Sequence, residues 1–113
     1  MAVTITDLTG QYSIAIDALV DTGSTLTSIA GDILAQLHIE PQERRRFRLG
    51  DDSVTEYPVG FARLSYQGHE CAISVAFRPP GAEPLVGATT LESLGLAIDP
   101  VVRRLYPVDL LLK

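Results

Sequence analysis

Apolar residues recur at every second position along much of this chain, in short runs. Val3 and Ile5 alternate with Thr4 and Thr6, and Tyr12, Ile14 and Ile16 alternate with Ser13, Ala15 and Asp17. Cys71, Ile73, Val75 and Phe77 share one side of Glu70 to Phe77, which makes Cys71 a core residue. A period of two belongs to strands with one buried face, so the chain is committed to a mostly β fold. Turn-forming clusters close the runs: Thr9-Gly10, Gly50-Asp51-Asp52-Ser53, Gln67-Gly68-His69 and Pro79-Pro80-Gly81.

Further strands are expected at Ala18-Leu19-Val20, Leu26 to Ile29, Val59 to Tyr66, Leu85-Val86, Leu96 to Asp99 and Leu105 to Leu112. Arg46 to Leu49 and Val54 to Tyr57 flank the Gly50 to Ser53 turn as a hairpin with a polar tip. Helical spacing is confined to two places. Ile33, Leu34 and Leu37 predict a helix over Gly31 to Leu37. Thr89 and Glu92 have capping-box spacing ahead of Leu94, and Gly95 suits the left-handed helix end. Roughly eight strands and two short helices predict a small, closed, mostly antiparallel β-barrel.

At 113 residues with 46% apolar content, the chain matches one domain over 1–113 with its own core. A net charge of -5 repels a phosphate backbone, so nucleic acid is not an expected partner. Arg44-Arg45-Arg46 with Arg48 is the one cluster of positive charge, read as a solvated strand edge, with an anionic-ligand patch as the alternative. Cys71 has no disulfide partner, and His38 and His69 stand apart from any metal-ligand set, so no metal or cofactor is expected. Aspartates interrupt the apolar runs before they reach membrane-spanning length, and the start lacks a basic-then-hydrophobic leader. A soluble cytoplasmic protein without membrane insertion is the expectation.

The chemistry-bearing feature is Asp21-Thr22-Gly23-Ser24, placed directly after the apolar Ala18-Leu19-Val20. Asp-Thr-Gly alone is a common turn, but a carboxylate at the end of an apolar strand is costly unless something uses it. The stretch Ala18 to Ser24 resembles the active-site signature of retropepsin-like aspartic peptidases. Leu85-Val86-Gly87, followed by a short helix, is similar to that family's late hydrophobic-hydrophobic-Gly element. The resemblance spans about Tyr12 to Val108 and includes an internal echo, because each motif runs from an apolar strand into a short helix. Ala88-Thr89-Thr90 replaces the Arg with Asn or Asp of the viral late motif, so the likeness is to cellular and bacterial single-domain members.

That resemblance implies an aspartic endopeptidase with Asp21 as the catalytic carboxylate and Thr22, Gly23 and Ser24 as its support. Thr22 would link two active-site loops, Gly23 would permit close approach, and the Ser24 hydroxyl would meet the outer carboxylate oxygen. The chemistry needs two carboxylates, one as base towards water and one as acid towards the peptide carbonyl. No second Asp-Thr-Gly or Asp-Ser-Gly occurs, so a homodimer is implied, with activity on the acidic side. An extended peptide or protein substrate would lie beneath a flap formed by Leu49, Gly50, Asp51, Asp52, Ser53 and Val54 within the Arg48 to Tyr57 hairpin. Leu105 to Lys113, with Leu110-Leu111-Leu112, is the expected dimer contact, and ordinary core packing is the alternative.

Competing readings are a turn aspartate without a role and a catalytically idle module that keeps the dimer for peptide binding. Phosphoryl transfer through an aspartyl phosphate lacks its companion acid, since position 23 is Gly. Asp51, Asp52 and Asp99 are read as solvated or turn residues.

Overall fold

A computed structural model describes residues 1–112 of the chain. β1 (Ala2–Thr6) and β2 (Ser13–Asp17) form an antiparallel pair in which Ile5 meets Ile14 and Val3 meets Ile16. Their turn is organised by Asp7, whose carboxylate accepts the Tyr12 N–H at 2.8 Å together with the Thr9 N–H and hydroxyl. β3 (Leu19–Val20), β4 (Thr27–Ala30) and α1 (Gly31–Gln36) follow, then β5 (Glu43–Arg48), β6 (Val54–Tyr66) and β7 (His69–Arg78). The chain ends through β8 (Leu85–Val86), α2 (Ala88–Leu94), β9 (Leu96–Asp99) and β10 (Arg104–Pro107).

The fold is mostly β and mostly antiparallel, as expected from the sequence, but no sheet is closed into a barrel. Eight strands make one open, mixed sheet in the order β2-β1-β6-β7-β4-β8-β3, with β5 added to β6, while β9 and β10 pair separately. β4 runs parallel to β7 and β3 parallel to β8. The two ends of the sheet, β2 and β3, are consecutive pieces of one chain segment interrupted at Ala18. The sheet therefore curls back through the chain itself, without a hydrogen-bonded seam.

Three expected element boundaries also change. Val54 to Tyr57 and Val59 to Tyr66 join into one strand through Pro58, because pairing with β7 begins only at Val59 and no ladder partner on that side loses a donor. The first helix stops at Gln36, with Leu37 as its C-cap. The last strand covers Arg104–Pro107 and not Leu105 to Leu112: the Val108 N–H turns aside to the Gly95 carbonyl at 2.8 Å, and Leu110, Leu111 and Leu112 are 70%, 87% and 100% exposed.

Val3, Ile5, Ile29, Leu34, Val59, Leu64, Val75 and Val86 fill the core, contributing roughly 1.5–3 kcal/mol each for full burial. Cys71 is half-buried and packs against this core. Among the described residues, no helix is long and apolar enough to cross a membrane.

Candidate active site

Asp21 emerges from β3 with its backbone already fixed by the late motif. Leu19 and Val20 pair in parallel with Leu85 and Val86, and the ladder is extended when the Asp21 N–H donates to the Val86 carbonyl at 3.0 Å. The chain then turns tightly, the Ser24 N–H donating to the Asp21 carbonyl at 3.1 Å. Within that turn the Gly23 N–H donates to Asp21 Oδ1 at 2.9 Å, which orients the carboxylate. A Cβ at position 23 would crowd the same oxygen at 3.2 Å, so glycine keeps the approach open.

The second motif is pressed against the back of this turn. A Cβ on Gly87 would lie 2.4 Å from the Leu26 carbonyl oxygen and 2.8 Å from that of Ser24, distances no side chain tolerates. The close approach has a purpose. The Ala88 N–H donates to the Ser24 carbonyl at 2.7 Å and the Thr89 N–H to the Thr25 carbonyl at 3.1 Å, so the first donors of α2 are satisfied by the Asp21 loop. This is why the expected capping box does not form: α2 starts at Ala88, Gly87 is its N-cap, and the Thr89 hydroxyl donates to the Thr25 carbonyl at 2.7 Å. Gly95 does end the helix in the left-handed conformation, at φ 68°.

Beneath the loop, Thr27 Oγ1 and Thr90 Oγ1 lie 2.6 Å apart, each residue 1% exposed, and the Gly87 N–H donates to Thr27 Oγ1 at 3.2 Å. Sequence inspection missed this pair. Thr27 sits in a β-prone run and Thr90 in a helix, and 63 residues separate them. The Ser24 hydroxyl, expected at the carboxylate, donates instead to the Leu26 carbonyl at 2.9 Å.

A cleft of about 600 Å³ opens over Asp21, between its loop and the β5–β6 hairpin. Asp21, Gly23 and Ser24 form one wall, and Leu49, Gly50 and Tyr57 part of the other. Leu85 also lines it, whereas Val86 and Gly87 are buried. Thr22 is exposed beside Asp21. The remaining expected flap residues, Asp51, Asp52, Ser53 and Val54, lie off the wall. Asp51 is engaged by its own turn: its Oδ1 accepts the Ser53 hydroxyl at 2.6 Å and the Ser53 N–H at 3.0 Å, which hold its carboxyl below the usual range. Among the described residues, no three His, Cys, Asp or Glu side chains converge as metal ligands.

The arginine cluster divides between two roles. Arg44 pairs with Glu56 at 3.5 Å on the exposed surface of the hairpin, while Arg45, Arg46 and Arg48 line the cleft, joined there by Arg78 from β7. Arg45 belongs to the cluster read from the sequence, but Arg78 and Tyr57 did not stand out there, because the wall they form is assembled from β5, β6 and β7 together.

No family model matches the chain, and no curated protein matches it. Among solved structures, the chain is similar to the solution structure of the simian foamy virus (mac) protease, with a TM-score of 0.54 at 14% identity. The match covers 80% of this chain and 91% of the viral one. The chain has the retropepsin fold. At that identity, the likeness is one of fold.

Proposed function

We propose that this protein is an aspartic endopeptidase whose working unit is a homodimer of the 113-residue domain, with one Asp21 from each chain. The observation that carries the proposal is the Asp21 carboxylate itself: oriented by the Gly23 N–H, it borders a cleft roofed by a hairpin. A carboxylate serving only its own turn would have no need of a second motif bracing its loop from behind.

In the proposed reaction, the ionised carboxylate of one chain takes a proton from water as that water attacks the peptide carbonyl. The protonated carboxyl of the other chain donates to the carbonyl oxygen. The proton then passes to the departing amine, and the two carboxyls again share one proton. The substrate lies extended beneath the hairpin, its main chain hydrogen-bonding as an added strand would. The exposed Leu110 to Leu112 segment is the surface assigned to contact between chains.

Solution mass measured alongside cleavage of a peptide library from pH 4 to 7 tests this, with Asp21→Asn as the comparison. A dimer with Asp21-dependent cleavage is expected, and a monomer without such cleavage contradicts it. A dimer that binds peptides equally well with and without the Asp21 carboxylate and cleaves none would instead be the idle module.

A further inference from the structure

The chain carries a net charge of -5, yet four of its nine basic residues, Arg45, Arg46, Arg48 and Arg78, line the Asp21 cleft. Asp21 is the one carboxylate on that wall among the described residues. None of the four arginines is in an ion pair among those residues, whereas Arg44 and Arg63, on the outer surface, both are.

Arg78 is the most constrained of them. It ends β7, half-buried, with its guanidinium carbon 5.1 Å from the centroid of the Tyr57 ring, and its Nε is buried without a hydrogen-bond partner. Arg45 is the register partner of Tyr57 across the hairpin, so the two side chains share a face, as paired residues do. Ser28 adds an independent observation. It is 5% exposed, its hydroxyl has no partner, and it lines the same cleft. Because Ser28 pairs with Ala76 and Ala30 with Arg78 in the parallel β4–β7 ladder, Ser28 and Arg78 stand on one face of the sheet. Arg46 and Arg48 line the cleft farther along β5, where they raise the local positive potential.

A guanidinium N–H withdrawn from water and left without an acceptor is costly, and stacking on an aromatic ring recovers only part of that cost. The missing component is an acceptor able to take several N–H and O–H donors at once, which is the chemistry of a carboxylate. We infer that this cleft selects extended peptides carrying an Asp or Glu side chain, whose carboxylate is bound by Arg78 and Arg45 with the Ser28 hydroxyl beside Tyr57. The inference rests on the proposed function in taking the ligand to be a peptide, and it assigns the substrate class that function leaves open.

The test is binding, so that it does not depend on turnover. Fluorescence anisotropy would be measured on the full-length Asp21→Asn protein with labelled peptides that differ only in Glu or Gln at each position in turn. At one position, the Glu peptide is expected to bind about 10- to 100-fold more tightly than its Gln isostere, the range for hydrogen bonds to a charged group. Arg78→Gln removes most of that preference, Arg45→Gln part of it, and Arg78→Lys retains some, while Arg63→Gln leaves it intact. Circular dichroism checks that each variant is folded, and Arg45→Gln carries the test if Arg78→Gln is not. Equal binding of Glu and Gln peptides at every position overturns the inference, as does a preference that neither Arg45→Gln nor Arg78→Lys diminishes, or no peptide binding at all. Acidic preference without Asp21-dependent cleavage in the wild-type protein would sink the peptidase and leave this site standing. Cleavage indifferent to acidic side chains would do the reverse.

Discussion

Gly87 has the least freedom of any residue near the site. Its missing side chain lets the start of α2 lie on the Asp21 loop, and a methyl group there would overlap the Leu26 carbonyl at 2.4 Å. Gly87→Ala must push the loop and helix apart, at a cost of about 1–3 kcal/mol by analogy with overpacked cores. A lower melting temperature together with loss of cleavage is expected, and thermal melts with a peptide assay would show it. The threonine pair makes a graded prediction. Thr27→Val removes a partner from both Thr90 and the Gly87 N–H, whereas Thr90→Val removes only one from Thr27. Each loss of a buried partner costs about 1–3 kcal/mol, so Thr27→Val should be the more damaging in urea unfolding, and the double variant should cost less than the sum. At Cys71, burial and the neighbouring Glu70 charge push the thiol above its ordinary value, so slow alkylation at neutral pH is expected.

At the scale of elements, the β1–β2 turn carries a pH-dependent contribution. The Thr9 hydroxyl, and after it the Tyr12 N–H, hold the Asp7 carboxyl below its ordinary value. A carboxyl depressed in the folded state binds protons more readily when unfolded, so its contribution is complete above the unfolded value, about 3.9, and is lost as pH falls through the lower folded value. Thermal melts should therefore show wild type ahead of Asp7→Asn at pH 7 and the gap closing towards pH 3. A gap that is constant with pH would remove this account of the turn.

Which elements were legible in the sequence follows from the range of the forces that set them. Ala2–Thr6 is fixed by its own alternation, and the end of α2 by Gly95, which takes φ 68° without a Cβ penalty. Asp21 and Leu85-Val86-Gly87 were legible because each motif is local, and the structure brings them together through the β3–β8 pairing. The parallel pairing of Thr27 with Val75 was not legible, since nothing within either strand specifies a partner so distant in the chain. The continuity of Val54 to Tyr66 was not legible either, since a proline inside a strand is tolerated only where no ladder needs its donor, and β7 begins pairing one residue after Pro58. The capping box failed for a related reason: its donors were taken by carbonyls of a loop distant in sequence. Arg78 and Tyr57 meet only because β6 and β7 assemble one wall of the cleft.

For the whole molecule, the central claim is that one site belongs to two chains. Asp21 is exposed in the single chain, and the exposed Leu110 to Leu112 offers apolar surface for an assembly to cover. Replacing Leu111 with Asp should shift solution mass towards the monomer and reduce cleavage at low protein concentration more than at high. The most direct measurement mixes wild-type chains with Asp21→Asn chains, lets the partners exchange, and follows cleavage of one peptide as the proportions change. If each site needs a carboxylate from both chains, an equal mixture at fixed total protein retains only about a quarter of the activity, because random pairing leaves that share as wild-type dimers. Activity that falls only in proportion to the wild-type fraction, to about half in the same mixture, would mean that each chain carries a complete site and would contradict the shared dyad.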